Sequence, residues 1–307
     1  MRVFITGASG WIGSHVVDTV LAAGHQVVGM ARSDASAASI EAKGATVLRG
    51  DLDDLDAIRR GATEADATIH LANKHDWSDP AESNRAERAA VETIAEALVG
   101  TDKPFLLASG VAGLAQGRPS TEEDPSPFSG PDAPRGGTEN LALEYVDRGV
   151  RSISLRFAPT VHGHRDHGFV AILTAVAKEK GVSAYVGDGS NGWAAVNVDD
   201  AAAMVALALD HAPAGALLHA VGEESVPTRA IAEAIGRALG IPTTSIAAED
   251  APAHFGFLGT LFSMDLSATS EITRELLDWT PTGPTLVEDI DAGAYTTSVT
   301  TSGTNAA

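Results

Sequence analysis

Short apolar runs and segments of helical periodicity alternate along the first half of the chain. Val3-Phe4-Ile5 forms an apolar run, and Val16, Val17, Val20 and Leu21 then fall on one face of a helix. Further runs rich in Val, Ile or Leu occupy 25–31, 45–49, 66–72, 104–109 and 151–157. Helical patterns at 55–61, 84–98 and 137–147 lie between them. Strands joined by helix-length crossovers predict a parallel sheet wound on both faces.

Beyond residue 157 the pattern changes. A Gly/His-rich loop at 159–168 precedes a helical stretch at 169–180, a strand at 184–186, a loop at 187–193 and a strand–helix unit at 194–210. Two more helical patterns, 228–239 and 270–277, are expected to build a smaller lobe. Between 112 and 134 runs a loop holding Gly113, Gly117, Pro119, Pro125, Pro127, Gly130 and Pro131; loops of that length in compact domains are usually covers or mobile segments. From Tyr295 onward the chain is Thr, Ser, Gly, Asn and Ala with few apolar anchors, so 295–307 is expected to fray.

The junction of the first strand and helix carries the most specific chemistry. Thr6-Gly7-Ala8-Ser9-Gly10-Trp11-Ile12-Gly13 places three glycines where a dinucleotide turn needs them. Gly7 permits a tight turn, Gly10 lets backbone approach a pyrophosphate, and Gly13 lets the helix pack on the strand. Ser9, Trp11 and Ile12 complete the segment, and the helix N-terminus offers N–H groups to the phosphates. The expected fold class is therefore α/β, a Rossmann-type doubly wound parallel sheet with a smaller C-terminal substrate lobe. Residues 1–158 would form the dinucleotide-binding domain and 159–294 mainly the substrate lobe, with 194–222 returning to the Rossmann core.

Cofactor choice is read at the end of the second strand. Ala31 stands where an acid selecting NAD is expected, and Arg32 follows with Ser33. A planar guanidinium suits a 2′-phosphate, so NADP is expected over NAD. Asp51 and Leu52 after the third strand, and Leu71 and Ala72 after the fourth, are placed for the adenosine half.

Composition narrows the partners. Among 307 residues, 21 are basic and 41 acidic, a formal charge of −20 that argues against nucleic acid or an anionic membrane surface. There is no cysteine, which excludes disulfides, thiolate metal sites and cysteine nucleophiles. The chain opens directly on a core strand and holds no membrane-length apolar run, so a cytoplasmic protein acting on a small molecule is expected.

These motifs, with Gly50-Asp51-Leu52, His70-Leu71-Ala72, Leu155-Arg156-Phe157-Ala158-Pro159, Val161-His162-Gly163, Gly187-Asp188-Gly189 and Val196-Asn197-Val198-Asp199-Asp200-Ala201, resemble the short-chain dehydrogenase/reductase superfamily. The likeness is to its extended and atypical branches, the NAD-dependent epimerase/dehydratase group, and nearest to sequences called 3β-hydroxysteroid dehydrogenase-like; a steroid substrate is not inferred. It spans nearly the whole chain, adds Ala158 to the cofactor set, and by analogy implies a homodimer. That superfamily employs a Tyr and a Lys one helical turn apart. The corresponding stretch here is Pro134-Arg135-Gly136-Gly137-Thr138-Glu139, with Arg135 in the Tyr place and Glu139 in the Lys place. Tyr145 does not restore the pair.

Candidates for the catalytic role are then Ser109 at the end of the fifth strand, Arg135 as an oxyanion clamp, and His164 or His167 as the acid, in a polar cluster with His162, Arg165 and Asp166. Ser109 serves equally as a hydroxyl satisfying nearby backbone. No metal site is expected. His75, Asp76, Trp77, Phe169, Tyr185, Asn191 and Trp193 are the substrate-side positions, with core packing an equal alternative for Phe169 and Trp193. The reading is an NADP(H)-dependent oxidoreductase acting on a carbonyl or alcohol of a small organic molecule. The alternatives are a non-catalytic NADP(H) sensor, or an epimerase or isomerase that retains its cofactor.

Overall fold

The computed structural model describes residues 1–74 and 79–296. Seven parallel strands form its central sheet: β1 (Arg2–Thr6), β2 (Gln26–Ala31), β3 (Thr46–Arg49), β4 (Ala67–His70), β5 (Pro104–Gly110), β6 (Arg151–Phe157) and β10 (Leu217–Ala220). Their spatial order, β3-β2-β1-β4-β5-β6-β10, reverses at β1. That is the Rossmann arrangement, and its switch point between β1 and β4 is where open α/β sheets bind ligands.

Both faces of the sheet are covered, which explains why β1, β2 and β5 carry continuous apolar runs rather than alternating ones. On one face α1 (Trp11–Ala22) packs beside α7 (Val198–His211), burying Val16, Val17 and Val20 with Ala201, Ala202 and Val205. On the other, α3 (Leu55–Glu64) and α4 (Pro80–Leu98) close over Phe4, Phe105 and Leu107. Gly61 of α3 lies against the Phe4 ring, where a Cβ would come within 2.5 Å.

The second lobe has its own core. A three-stranded sheet, β11-β9-β7, joins β7 (Thr160–His162), β9 (Gly192–Asn197) and β11 (Glu223–Pro227). A two-stranded sheet pairs β8 (Ser183–Val186) with β12 (Thr243–Ile246). Around them sit α6 (Phe169–Lys180), α8 (Thr228–Leu239), the short α9 (Ala251–Phe255) and α10 (Leu258–Phe262), and α12 (Leu286–Asp291); α11 (Glu271–Leu277) lies against β10.

Three expectations change. Within 194–222, α7 and β10 do join the central layers, but β9 belongs to the three-stranded sheet. The stretch 159–168 contains the strand β7 as well as loop. Of the stretch 295–307, Tyr295 is anchored, its hydroxyl donating to Asp166 Oδ2 at 2.8 Å, and 297–307 lie outside the described residues. Among the described residues no helix is long and apolar enough to cross a membrane.

Candidate active site

The turn between β1 and α1 is built by close approach. Gly7 adopts φ 70°, and a Cβ there would lie 2.8 Å from the Ala72 nitrogen. At Gly13 a Cβ would run into the Gly7 carbonyl, whereas at Gly10 it would meet only that carbonyl, at 3.1 Å, with open space beyond. Gly10 caps α1 without a side-chain hydrogen bond, and Ser9 and Gly10 are exposed. The turn is thus a cradle whose outer side is empty and whose helix N–H groups are uncapped, as a pyrophosphate requires. Thr6 locks it to the fourth strand: Leu71 N–H donates to the Thr6 carbonyl at 3.3 Å and Ala72 N–H to its Oγ1 at 3.3 Å. Trp11 swings outward, Nε1 donating to the Val161 carbonyl at 2.8 Å.

The adenosine-side candidates sit at the ends of β2 and β3. Arg32 is exposed and makes no ion pair among the described residues, while Ser33 is occupied as the cap of α2 (Asp34–Glu41), accepting from Ser36 N–H at 3.1 Å. Arg49, at the end of β3, was not singled out in the sequence; it donates to the Ser33 carbonyl at 2.8 Å and to Asp34 at 2.6 Å. Two guanidinium-bearing residues therefore flank this end of the turn. Asp51 accepts from the N–H groups of Asp53 and Asp54, Leu52 is buried in the core, and Ala158 is buried with its N–H donated to Ala220.

Arg135 and Glu139 do not share one helix. Pro134–Gly137 forms a 3-10 turn in which Arg135 (φ 55°), Gly136 (φ 63°) and Gly137 (φ 61°) are all left-handed, and α5 (Thr138–Glu144) begins only afterwards. The turn needs its glycines: a Cβ on Gly136 would lie 2.7 Å from the Asn84 carbonyl, and one on Gly137 2.8 Å from the Gly130 nitrogen. Two neighbours on α4 hold it, Arg88 donating to the Gly136 carbonyl at 2.7 Å and Glu87 pairing with Arg135.

Glu87, unmarked in the sequence, is the hinge of this corner. Its side chain is 1% exposed. Oε1 accepts from Arg135 Nε at 2.9 Å and also from Nη2, and Oε2 accepts from the Asn73 amide. Burial raises the Glu87 pKa, against the opposing pull of Arg135 and Asn73. Asn73 follows Ala72, so Arg135 is tied through Glu87 to the same strand end that meets Gly7. Lys74, next along, bridges Asp53 at 2.8 Å and Glu82 at 2.9 Å.

Glu139 serves a different purpose from a catalytic lysine. It is enclosed against Arg156, the most deeply buried charged pair here, at 2.5 Å from Nη2. Burial raises its pKa, but hydrogen bonds from Arg156, Ser109 and Ser154 outweigh that and leave it lowered. Arg156 Nη1 also donates to the Asp124 carbonyl at 2.9 Å, and Asn140 holds the carbonyls of Ser126 (3.0 Å) and Phe128 (2.8 Å). The loop over 112–133 is fastened down by these groups rather than hanging free.

The histidines separate. His164 and His167 are exposed, and His167 lies edge-on to Trp11 with centroids 6.2 Å apart. His162 is enclosed and bound to Asp289 at 2.6 Å. Among the described residues no cluster of His, Cys, Asp or Glu could hold a metal. On the substrate side, Trp193 is wholly buried between Phe169 and Phe262, with centroids 6.0 and 5.2 Å away, so it carries core packing; Phe169 is half-buried against it. Asn191 is spent on the carbonyls of Phe262 and Met264, and Tyr185 lies beneath Arg229. His75, Asp76 and Trp77 lie outside the described residues.

Sheet order, glycine cradle and uncapped helix end together define a dinucleotide-binding Rossmann protein. The NAD dependent epimerase/dehydratase family matches residues 3–220, and the chain belongs to that family. An uncharacterised protein of Schizosaccharomyces pombe is 44% identical over 296 residues, 96% of this chain and 100% of its own length. A 2-alkyl-3-oxoalkanoate reductase of Stenotrophomonas maltophilia is 27% identical over 260 residues, 79% of this chain and 77% of its own. The structure of dTDP-glucose 4,6-dehydratase from Streptomyces venezuelae, holding NAD, superposes with a TM-score of 0.76 at 20% identity, covering 96% of each chain. A reductase and a sugar-nucleotide dehydratase are thus among the proteins this chain resembles.

Proposed function

We propose that the protein is an NADP(H)-dependent oxidoreductase that reduces a carbonyl, or oxidises the corresponding alcohol, on a small organic molecule. One observation carries this reading: a strained, oriented cation, Arg135, is fixed by buried Glu87 at the same strand end that meets the open glycine cradle. Left-handed non-glycine backbone costs about 1–3 kcal/mol and tends to persist where function requires it. The reductase relative supports the same chemistry.

A bound nicotinamide supplies or accepts the hydride. The chain's own part is to hold the pyrophosphate at Gly7, Gly10 and Gly13, to place Arg32, with Arg49 beside it, for a 2′-phosphate, and to present Arg135 to the substrate oxygen. Glu139, locked to Arg156 and Ser154, shapes the floor.

The test is NADPH consumption across a panel of carbonyl compounds, together with NADPH and NADH titrations. Turnover is expected, with Arg135→Ala lowering kcat/KM about a hundredfold, as loss of an oxyanion donor does. Arg32→Ala should weaken NADPH far more than NADH. Tight NADPH binding with no turnover on any carbonyl would favour the sensor reading; substrate isomerised without change in nicotinamide absorbance would favour the epimerase.

A further inference from the structure

The groups around Arg135 restrict which carbonyls it can serve. A guanidinium donates hydrogen bonds but keeps its protons throughout the working pH range. The ionisable side chains described in this corner are engaged with partners of their own, Lys74 with Asp53 and Glu82. Glu87 is committed to Arg135 and Asn73, and Glu139 to Arg156 and Ser154. His70 is sealed beneath the surface, where burial first and the Arg135 charge second hold its pKa down at about 3. The tyrosines are elsewhere: Tyr145 donates to Glu96 at 2.7 Å, Tyr295 to Asp166 at 2.8 Å, and Tyr185 lies under Arg229. His167 stands beside Trp11.

Hydride addition to a saturated ketone creates a localised alkoxide, a strong base that calls for a proton as it forms. Addition to the far end of a conjugated enone, or to a quinone, creates an enolate or hydroquinone anion. There the charge is spread and the oxygen is a much weaker base, its conjugate acid being an enol or phenol rather than an alcohol, so a fixed cation can stabilise it without a proton on oxygen in the same step.

We propose that this site reduces conjugated carbonyl compounds, enones and quinones, with Arg135 clamping the oxyanion and Glu87 acting as its positioning residue. The proposal rests on the reductase reading above. In the enone, a C–H bond forms at the β-carbon with the hydride of NADPH, which leaves as NADP⁺. The C=C pair shifts to make the enolate double bond, and the carbonyl π pair moves onto oxygen against Arg135. Water then protonates the α-carbon and the carbonyl re-forms. Nε and one N–H of Nη2 go to Glu87 Oε1, which leaves both N–H groups of Nη1 and the second of Nη2 with no partner among the described residues. That open edge is what is left for the oxyanion, and Glu87 sets its direction.

Cyclohex-2-enone and cyclohexanone form a matched pair for the test. With NADPH, the enone should show kcat/KM at least about a hundredfold above the ketone, the span a missing general acid imposes. Deuterium from 4-deuterated NADPH should appear at the β-carbon and solvent deuterium at the α-carbon. Glu87→Gln should lower kcat about tenfold or more while the NADPH Kd stays put, with Glu87→Asp recovering part of the loss. A readout without turnover is 4-nitrophenol: bound beside NADP⁺ it should titrate at lower pH than when free, and Arg135→Met should abolish the shift even if Glu87 variants fold poorly. Equal turnover of both carbonyls, or an unshifted nitrophenol, overturns the proposal while the reductase reading stands. Turnover of neither, with NADPH bound, overturns both.

Discussion

His70 shows how one residue of the cofactor strand ties stability to pH. It ends β4 with its Nδ1 2.9 Å from Thr6 Oγ1, while Nε2 is buried with no partner among the described residues. Burial, helped by the Arg135 charge, lowers its pKa from 6.5 to about 3. Between those values the unfolded chain binds a proton that the folded chain refuses, so stability falls as pH falls. The contribution is complete above about pH 6.5 and is lost progressively toward pH 3. His70→Asn, which can keep a bond to Thr6, should remove this term. Urea midpoints at pH 7, 6, 5 and 4 should fall less steeply for the variant, the wild-type slope being steeper by about 1 kcal/mol per pH unit. Parallel slopes would show that His70 already titrates normally in the folded state.

At the scale of elements, the turn and helix after the long loop carry what the sequence could not display. Apolar runs such as 104–108 announce their strands because both faces are buried, and the first glycines announce their turn because only glycine fits. By contrast β7, β11 and β12 are three to five residues long and owe their existence to partners far along the chain. Arg135 carries a Cβ, so nothing in its identity signals left-handed backbone, and its partner Glu87 lies 48 residues away in a run that reads as a solvated helix face. The exchange of Lys for Glu139 was visible, but its compensation by Arg156 needed the fold. Restoring the family residue should therefore fail. Glu139→Lys would set an ammonium against buried Arg156, and breaking a buried pair costs about 3–5 kcal/mol. Denaturant unfolding should register a loss of that size, and Arg156→Met in the same chain should recover part of it. A Glu139→Lys protein as stable as wild type would mean that the pair relaxes into solvent.

On the scale of the whole molecule, the lobes are joined through the segment after β7. Trp11 of the cofactor turn bonds the Val161 carbonyl, and a Cβ on Gly163 would lie 3.3 Å from its ring. Two carboxylates fix that segment from below: Asp289 of α12 holds His162, and Asp166 accepts from Gly168 N–H at 2.7 Å and from Tyr295. Asp166 is mostly buried, which raises its pKa against those two donors. Tyr295 thus links the end of the described chain to the loop that supports Trp11. Removing its hydroxyl leaves a buried carboxylate one donor short, a cost of about 1–3 kcal/mol. The loop can escape part of that cost only by opening Asp166 to water, which would loosen Gly163 and the edge of the cradle. Tyr295→Phe should therefore speed amide hydrogen exchange over 163–168 and weaken NADPH by a few-fold, about 1 kcal/mol of binding. Exchange over β1 to β3 should stay unchanged, because no bond to Asp166 reaches them. If the variant lost stability but bound NADPH as tightly as wild type, the link would be a strut of the second lobe alone.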